Sequence, residues 1–478
     1  MRRLRRTKIV ATLGPSSSER DVIARLFQAG ADVFRINMSH TSHERMRELV
    51  TAIRSIEEEH NRPIGILVDL QGPKLRVGKF GTGPITLAKG DTFILDSSDA
   101  PGDGNRVHLP HPEILAAMQP GHRLLLNDGK IQLTALEADK TRLVTRVDVG
   151  GVLSDRKGVS LPDTLIPFSA LVPKDRSDLE AALETGIDWV ALSFIQRPDD
   201  IAEAKKITRG RAALMAKIEK PQAVTHLAEI LDLADALMVA RGDLGVEMPL
   251  EKVPGIQKFM TRTSRRVGKP VVVATQMLES MITSPIPTRA EVSDVATAIF
   301  EGADAVMLSA ESAAGQYPVE AVATMNRIAE EVESDPIYRT IIDSQRSEPE
   351  ATGSDAIAAA ARQIAETLEL SAIACWTFSG STAMRVARER PKPPIVAISP
   401  KLSTGRRLSL VWGVHCIVAE DAHDQDDMVE RAGRLAFKDG FSRAGQRIII
   451  VAGVPLGTPG ATNMLRIAFV GSEAPADF

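Results

Sequence analysis

The sequence predicts an α/β protein: a (β/α)8 barrel carrying an inserted small β-barrel lid, followed by an open α/β domain. Three observations carry this. Eight short apolar strand candidates alternate with amphipathic helical stretches over residues 8 to 70 and 174 to 331. The interval from 73 to 158 changes to short strands separated by Gly, Asp and Asn turns. After about residue 336 the strand–helix alternation resumes. The expected boundaries are 1–72 and 159–335 for the barrel, 73–158 for the insert and 336–478 for the last domain.

The barrel strand candidates are, in order, "KIVATLG", "VFRINMS", "ILVDL", "WVALSF", "LMAKIE", "ALMVARG", "VVVATQ" and "AVMLSA". Helix-like sequence separates them, as in "QAVTHLAEILDLA" and "AEVSDVATAIF". In the insert, "DTFILD", "RLLLNDGKIQLTAL" and "RLVTRVDV" read as short strands, with Pro73 and "KGVSLPD" marking the linkers. The last domain offers "AIACWTF", "PIVAIS", "VHCIVA", "QRIIIVAG" and "MLRIAFV", after an exposed linker in "DSQRSEPEATGSD". No internal repeat or low-complexity tract interrupts the chain.

Composition excludes several classes of function. A chain of 478 residues exceeds one ordinary core. Its 58 basic against 62 acidic residues give no footing for a nucleic-acid partner. The basic start "MRRLRR" lacks the apolar stretch of a secretory signal, and no apolar run reaches the ~18 residues of a membrane span. Two cysteines, Cys375 and Cys416, are too few for a disulfide framework or a zinc site. A cytoplasmic protein with no membrane partner is expected.

Strands of a parallel barrel are covered on both faces and should be apolar throughout. Several here break that rule with period 2. Phe34, Ile36 and Met38 share one face of their strand, while Arg35, Asn37 and Ser39 share the other. Lys217 and Glu219 likewise oppose Leu214, Ala216 and Ile218. Asp69, Asp243, Thr275 and Ser309 also fall at C-terminal strand ends, where barrel enzymes place their active sites. Singly, each has an ordinary explanation: a paired lysine, a helix cap, a turn serine. Converging from separate strands, they read as a site. Glu219 and Asp243 offer two hard oxygen ligands suited to Mg²⁺ or Mn²⁺. Arg35 and Lys217 call for an anionic substrate, a phosphate or a carboxylate, and such a set clamps a transferring phosphoryl group. Magnesium-dependent barrel lyases and aldolases share part of this chemistry. They need neither a lid with phosphate-facing basic residues nor Lys217. A degenerate paralogue acting only as a binding module would have lost some of these polar groups.

The segments "KIVATLGP", "RINMSH", "MAKIEKP", "VARGDLGVE", "ATQMLESM" and "PTRAEVSDVA" resemble pyruvate kinase from about residue 7 to residue 470. The resemblance implies transfer of the phosphoryl group of phosphoenolpyruvate to ADP, giving pyruvate and ATP. It implies Lys217 as the catalytic lysine, Glu219 and Asp243 as metal ligands, and Arg35 with Arg76 as phosphoryl-binding arginines. Thr275 is expected beside the methylene carbon, in a water relay that protonates the enolate. The backbone of Gly242 and Asp243 is expected to receive the substrate carboxylate, and Lys157 to face the nucleotide phosphates. Many members bind K⁺ through groups matching Asn37, Ser39 and Asp69, and read Asp-Thr-Lys-Gly-Pro-Glu where this chain has "DLQGPK". Leu70 replaces the Thr and Lys74 the Glu, so the chain resembles a lysine-bearing, potassium-independent type, with Lys74 offsetting Asp69. The resemblance further implies a homotetramer and a phosphorylated effector. The effector would bind at the loop of Thr377, Ser379, Ser381 and Thr382, completed by the turn "GVPLGTPGATN".

Overall fold

The computed structural model describes residues 2–455 and 462–471. Eight parallel strands close into a barrel in the order Lys8–Leu13, Ala305–Leu308, Val271–Ala274, Ala236–Ala240, Ala213–Ile218, Trp189–Leu192, Gly65–Asp69 and Val33–Asn37, the last pairing the first. All eight expected strands are present. Helices return the chain on the outside, and "QAVTHLAEILDLA" divides into two short ones, Pro221–Thr225 and Leu227–Leu233.

Strand alternation sorts the side chains into two cores. Ile9, Phe34, Ile66, Leu214 and Val239 face the helices. Val10, Val33, Leu67, Ala191, Met215 and Met238 fill the barrel interior, and Leu410 of the last domain joins them from below. Two residues further along these strands the inward positions turn polar, at Thr12, Arg35, Asp69, Ser193 and Lys217. The interior is therefore dry at its base and charged at its mouth.

The insert leaves the barrel after Asp69. A six-stranded sheet runs in the order Val159–Ser160, Arg123–Leu126, Ile131–Ala138, Arg142–Val149, Thr92–Asp96 and Arg106–His108. A separate ribbon pairs Gly151–Leu153 with Ile85–Leu87. The hairpin turn takes Asn127, Asp128 and Gly129 through φ of 52°, 56° and 78°, which these residue types tolerate best. Sheet and ribbon enclose one core around Phe93, Leu124 and Leu133, without the hydrogen-bonded ring of the expected β-barrel. That core takes in Leu161 and Ile166, so the insert's packing runs past residue 158.

The last domain is a five-stranded sheet in the order Val414–Val418, Ile395–Ser399, Ile373–Trp376, Arg447–Gly453 and Thr462–Phe469, with only the final pair antiparallel. It docks on the base of the barrel. Arg390 Nη1 donates to Asp304 Oδ1 at 3.0 Å, Lys8 Nζ donates to the Val414 carbonyl at 2.7 Å, and Arg406 pairs with Glu57 at 2.5 Å. No helix among the described residues is long and apolar enough to cross a membrane.

Candidate active site

The polar inward positions meet at the barrel mouth. Lys217 is almost fully buried and sits at the centre of the cluster. Its Nζ lies 2.9 Å from Glu219 Oε1 and 3.2 Å from Asp69 Oδ1, and donates to Ser193 Oγ at 2.7 Å. Arg35 Nε donates to the other Asp69 oxygen at 2.7 Å, and its Nη1 to Thr12 Oγ1 at 3.1 Å. Two cations thus share one buried carboxylate. Burial opposes the charge on Lys217, but Asp69 and Glu219 outweigh it and raise its pKa above the ordinary lysine value. Burial would also raise Asp69, yet Lys217 and Arg35 hold its carboxyl below the usual range. Glu219 is pushed up by burial although Lys217 opposes the shift.

Glu219 and Asp243 follow neighbouring strands of the barrel. Glu219 is buried and its Oε2 accepts the Phe194 N–H at 2.9 Å, while Asp243 stands exposed at the mouth. Among the described residues Asp243 makes no hydrogen bond or ion pair, and no cluster of three or more His, Cys, Asp or Glu side chains could hold a metal ion. Two carboxylates with unused lone pairs match a Mg²⁺ site, in which substrate and water oxygens complete the shell. The residues present fit that ion.

Thr275 departs from regular structure. Its strand ends at Ala274, and Thr275 and Gln276 take φ of 70° and 53°. For a β-branched residue this is an outlier costing about 1–3 kcal/mol. Arg241 holds the bend: Nη2 donates to the Thr275 carbonyl at 2.7 Å, Nε to the Ala274 carbonyl at 3.3 Å, and Nη1 pairs with Asp294 at 2.6 Å. The bend aims Thr275 Oγ1 at the Gly242 N–H, which donates to it at 2.7 Å. The Gly242 amide expected to stand free for a carboxylate is therefore engaged.

Lys74 Nζ donates to Ser39 Oγ at 3.1 Å. Arg35 and Lys217 pair with Asp69 directly, and Asp69 also acts on Lys74, favouring its charged form. Lys74 is half-buried, and burial together with Arg76 and Lys217 lowers its pKa. Asn37 Oδ1 accepts the Ser39 N–H at 3.1 Å, which keeps these neighbours together. Arg76 and Lys157 lie where the insert joins the barrel. Arg76 forms a bridge with Gly158 and donates to the Arg156 carbonyl at 2.9 Å, and the Lys157 carbonyl accepts the Val77 N–H.

Sequence reasoning passed over Thr12, Ser193, the Phe194 amide and Arg241. Thr12 and Ser193 have the same inward parity as Val10 and Ala191, a signal that the period-2 rule could have used. The Ser309 N–H donates to Glu311 Oε2 at 2.7 Å. In the last domain, Thr377 and Thr382 are buried within the fold. Thr377 Oγ1 accepts the Gly380 N–H at 3.0 Å, and Thr382 shares a 2.9 Å hydrogen bond with Thr462. Ser379 donates to Ser381 at 3.2 Å. Residues 456–461 of the expected completing turn lie outside the described residues.

Comparison with known proteins agrees with this architecture. The family profile "Pyruvate kinase, barrel domain" matches residues 4–322, and "Pyruvate kinase, alpha/beta domain" matches residues 355–468. A pyruvate kinase of Methylorubrum extorquens is 63% identical over 473 residues, covering 99% of both chains. One of Agrobacterium vitis is 47% identical, covering 98% of this chain and 99% of its own. Among solved structures, a pyruvate kinase from Cryptosporidium parvum superposes with a TM-score of 0.91 at 32% identity, covering 98% of this chain and 96% of that one. With a closed barrel, a phosphate-suited cation cluster and full-length relatives all in agreement, the chain belongs to the pyruvate kinase family.

Proposed function

We propose that Lys217, Arg35, Arg76, Glu219, Asp243 and Thr275 carry the family's reaction here, moving the phosphoryl group of phosphoenolpyruvate to ADP to give pyruvate and ATP. One observation supports this above the others: the Lys217 ammonium is buried, held charged by two carboxylates, and sits beside Arg35 at the barrel mouth. Phosphoryl transfer spreads negative charge over the equatorial oxygens, and fixed cations stabilise it there. Lys217 also meets the charge that develops on the enolate oxygen.

Glu219 and Asp243 would hold the divalent ion, Mg²⁺ or Mn²⁺, which when bound neutralises charge on the substrate oxygens. Arg35 faces the phosphoryl group from the barrel wall, and Arg76 from the insert side. Lys157 faces the nucleotide phosphates. A substrate carboxylate at the start of helix Arg241–Glu247 takes the Gly242 N–H from Thr275, freeing that hydroxyl for a water relay to the enolate carbon. Movement of the insert over the mouth excludes water, which would otherwise accept the phosphoryl group.

We also propose that the enzyme needs no K⁺. Lys74 supplies a fixed positive charge at Ser39, beside Asn37 and Asp69, where an ion would otherwise be recruited. A homotetramer is supported by the family likeness and by the edge strand Thr462–Phe469, which exposes Ile467 and Phe469. A phosphorylated effector at the loop of Thr377, Ser379, Ser381 and Thr382 is supported by the likeness alone. Free thiols at Cys375 and Cys416 fit work in the cytoplasm.

The test of the catalytic assignment is ATP formation by Lys217→Met in the presence of Mg²⁺. Loss of one preorganised donor removes about 3 kcal/mol of transition-state stabilisation, a fall in kcat of roughly a hundredfold. Unchanged turnover would overturn the role of Lys217.

A further inference from the structure

The first linker of the insert presses on a turn that also touches two side chains of the barrel mouth. Strand Trp189–Leu192 ends there, and Ser193 and Phe194 form the turn. Phe194 takes φ of 59°, in the left-handed region, which a bulky residue adopts at a cost of about 1–3 kcal/mol. Such a conformation persists only where the surroundings fix it.

Three sets of contacts do so. From the linker, Gly72 approaches so closely that a methyl group added to it would stand 2.6 Å from Phe194 Cδ2 and 3.1 Å from Ser193 Cβ. Gly72 is itself held, its N–H donating to Asp175 Oδ1 at 3.0 Å. From the insert, the core packs against the partly buried Phe194 ring. From the barrel, Glu219 Oε2 accepts the Phe194 N–H at 2.9 Å, while Ser193 Oγ accepts from Lys217 at 2.7 Å and donates to the Leu70 carbonyl at 2.8 Å.

We propose that Phe194 is a positioning residue for the divalent ion: its ring, seated on the insert, holds the turn whose amide orients the Glu219 carboxylate. The inference rests on the reading of Glu219 as a metal ligand. Glu219 Oε1 meets the Lys217 ammonium at 2.9 Å and Oε2 meets the amide, so both oxygens are fixed. Each keeps a lone pair for an ion. Partners that orient a ligating carboxylate in this way are commonly worth about 10–100-fold in metal affinity. The amide belongs to the backbone, and what keeps it aimed at Glu219 is the seat of the ring. Without that seat the turn is free to leave its strained φ, taking the amide away from Glu219 and Ser193 Oγ away from Lys217. The insert and the metal carboxylate are thereby placed as one unit.

The experiment is titration of the full chain with Mn²⁺ in the absence of substrates, following the electron paramagnetic resonance signal of the free ion. Wild type, Phe194→Ala, Phe194→Leu and Glu219→Gln are compared. Phe194→Ala should bind Mn²⁺ about tenfold more weakly. Phe194→Leu, which refills the seat with an apolar side chain, should recover most of that loss. Should the alanine variant fail to fold, Phe194→Asn takes its place under the same expectation, since Asn tolerates a left-handed φ. Wild-type affinity in the ring-deleted variant, with weak binding by Glu219→Gln, overturns the positioning role and leaves the metal assignment standing. A loss that Phe194→Leu shares in full is a general disturbance of the turn and overturns it too. Equal binding by wild type and Glu219→Gln overturns the metal assignment, and this inference with it.

Discussion

Replacing Asp69 by Asn removes one charge and almost no volume. Asp69 is 1% exposed and lies 3.2 Å from Lys217 Nζ and 2.7 Å from Arg35 Nε. At an effective dielectric near 20, a unit-charge pair at 3.2 Å interacts by about 5 kcal/mol, so even a fraction of that term is measurable. Two effects should follow. Breaking a buried ion pair by deleting one partner costs about 3–5 kcal/mol of folding stability. The pKa of Lys217 should also fall, because Asp69 is the foremost group that raises it. The sign is fixed by linkage. A raised lysine pKa contributes stability that is fully present below about 10.4, its ordinary value, and is lost as pH climbs through the folded value. The alkaline limb of kcat/KM should therefore move to lower pH in Asp69→Asn, by about one unit or more, which is about 1.4 kcal/mol. The assay is coupled ATP formation across the alkaline range, alongside urea unfolding at neutral pH. An alkaline limb that stays in place, with stability lowered by less than about 1 kcal/mol, would refute the shared-carboxylate account.

Three further outcomes are expected. In tetramethylammonium buffer the wild-type rate should rise less than tenfold on adding KCl, whereas Lys74→Glu should acquire a potassium requirement; equal rates for that variant with and without the salt count against the charge replacement. Arg241→Met should release the bend at Thr275, lowering kcat about tenfold while circular dichroism stays native, and rates equal to wild type would remove Arg241 from a positioning role. Asp32→Asn should cost about 3–5 kcal/mol at neutral pH by urea unfolding. Burial would raise Asp32, but Arg5, Lys8, Arg3 and Arg62 hold it well below the usual range. Its contribution is thus present above about pH 3.9 and lost on acidification, so the variant should lose less stability than wild type as pH falls.

The barrel was legible because its strands read as apolar runs wherever both faces are covered, and its site because Arg35, Asp69, Lys217 and Glu219 interrupt those runs. Thr12 and Ser193 escaped notice because a hydroxyl in a strand is compatible with an ordinary core hydrogen bond. The hydrogen bond from Lys74 to Ser39 was not legible, because it spans the Gly72 turn, at a φ of 68°, between residues thirty-five positions apart. The insert's failure to close was hidden for another reason: closure depends on pairing between strands distant in sequence, which no local pattern records. The Thr275 bend was similarly invisible, since its cause is Arg241, thirty-four positions earlier in the chain.

Leu410 gives the barrel a floor that the barrel's own strands do not supply. A shortened chain ending near residue 335 would leave Val33, Trp189 and Met215 open to water from beneath, so the catalytic half should not survive excision as a free-standing unit. Insertions, fusions and cuts are better tolerated at the exposed stretch 345–352 than any deletion that unseats this one leucine.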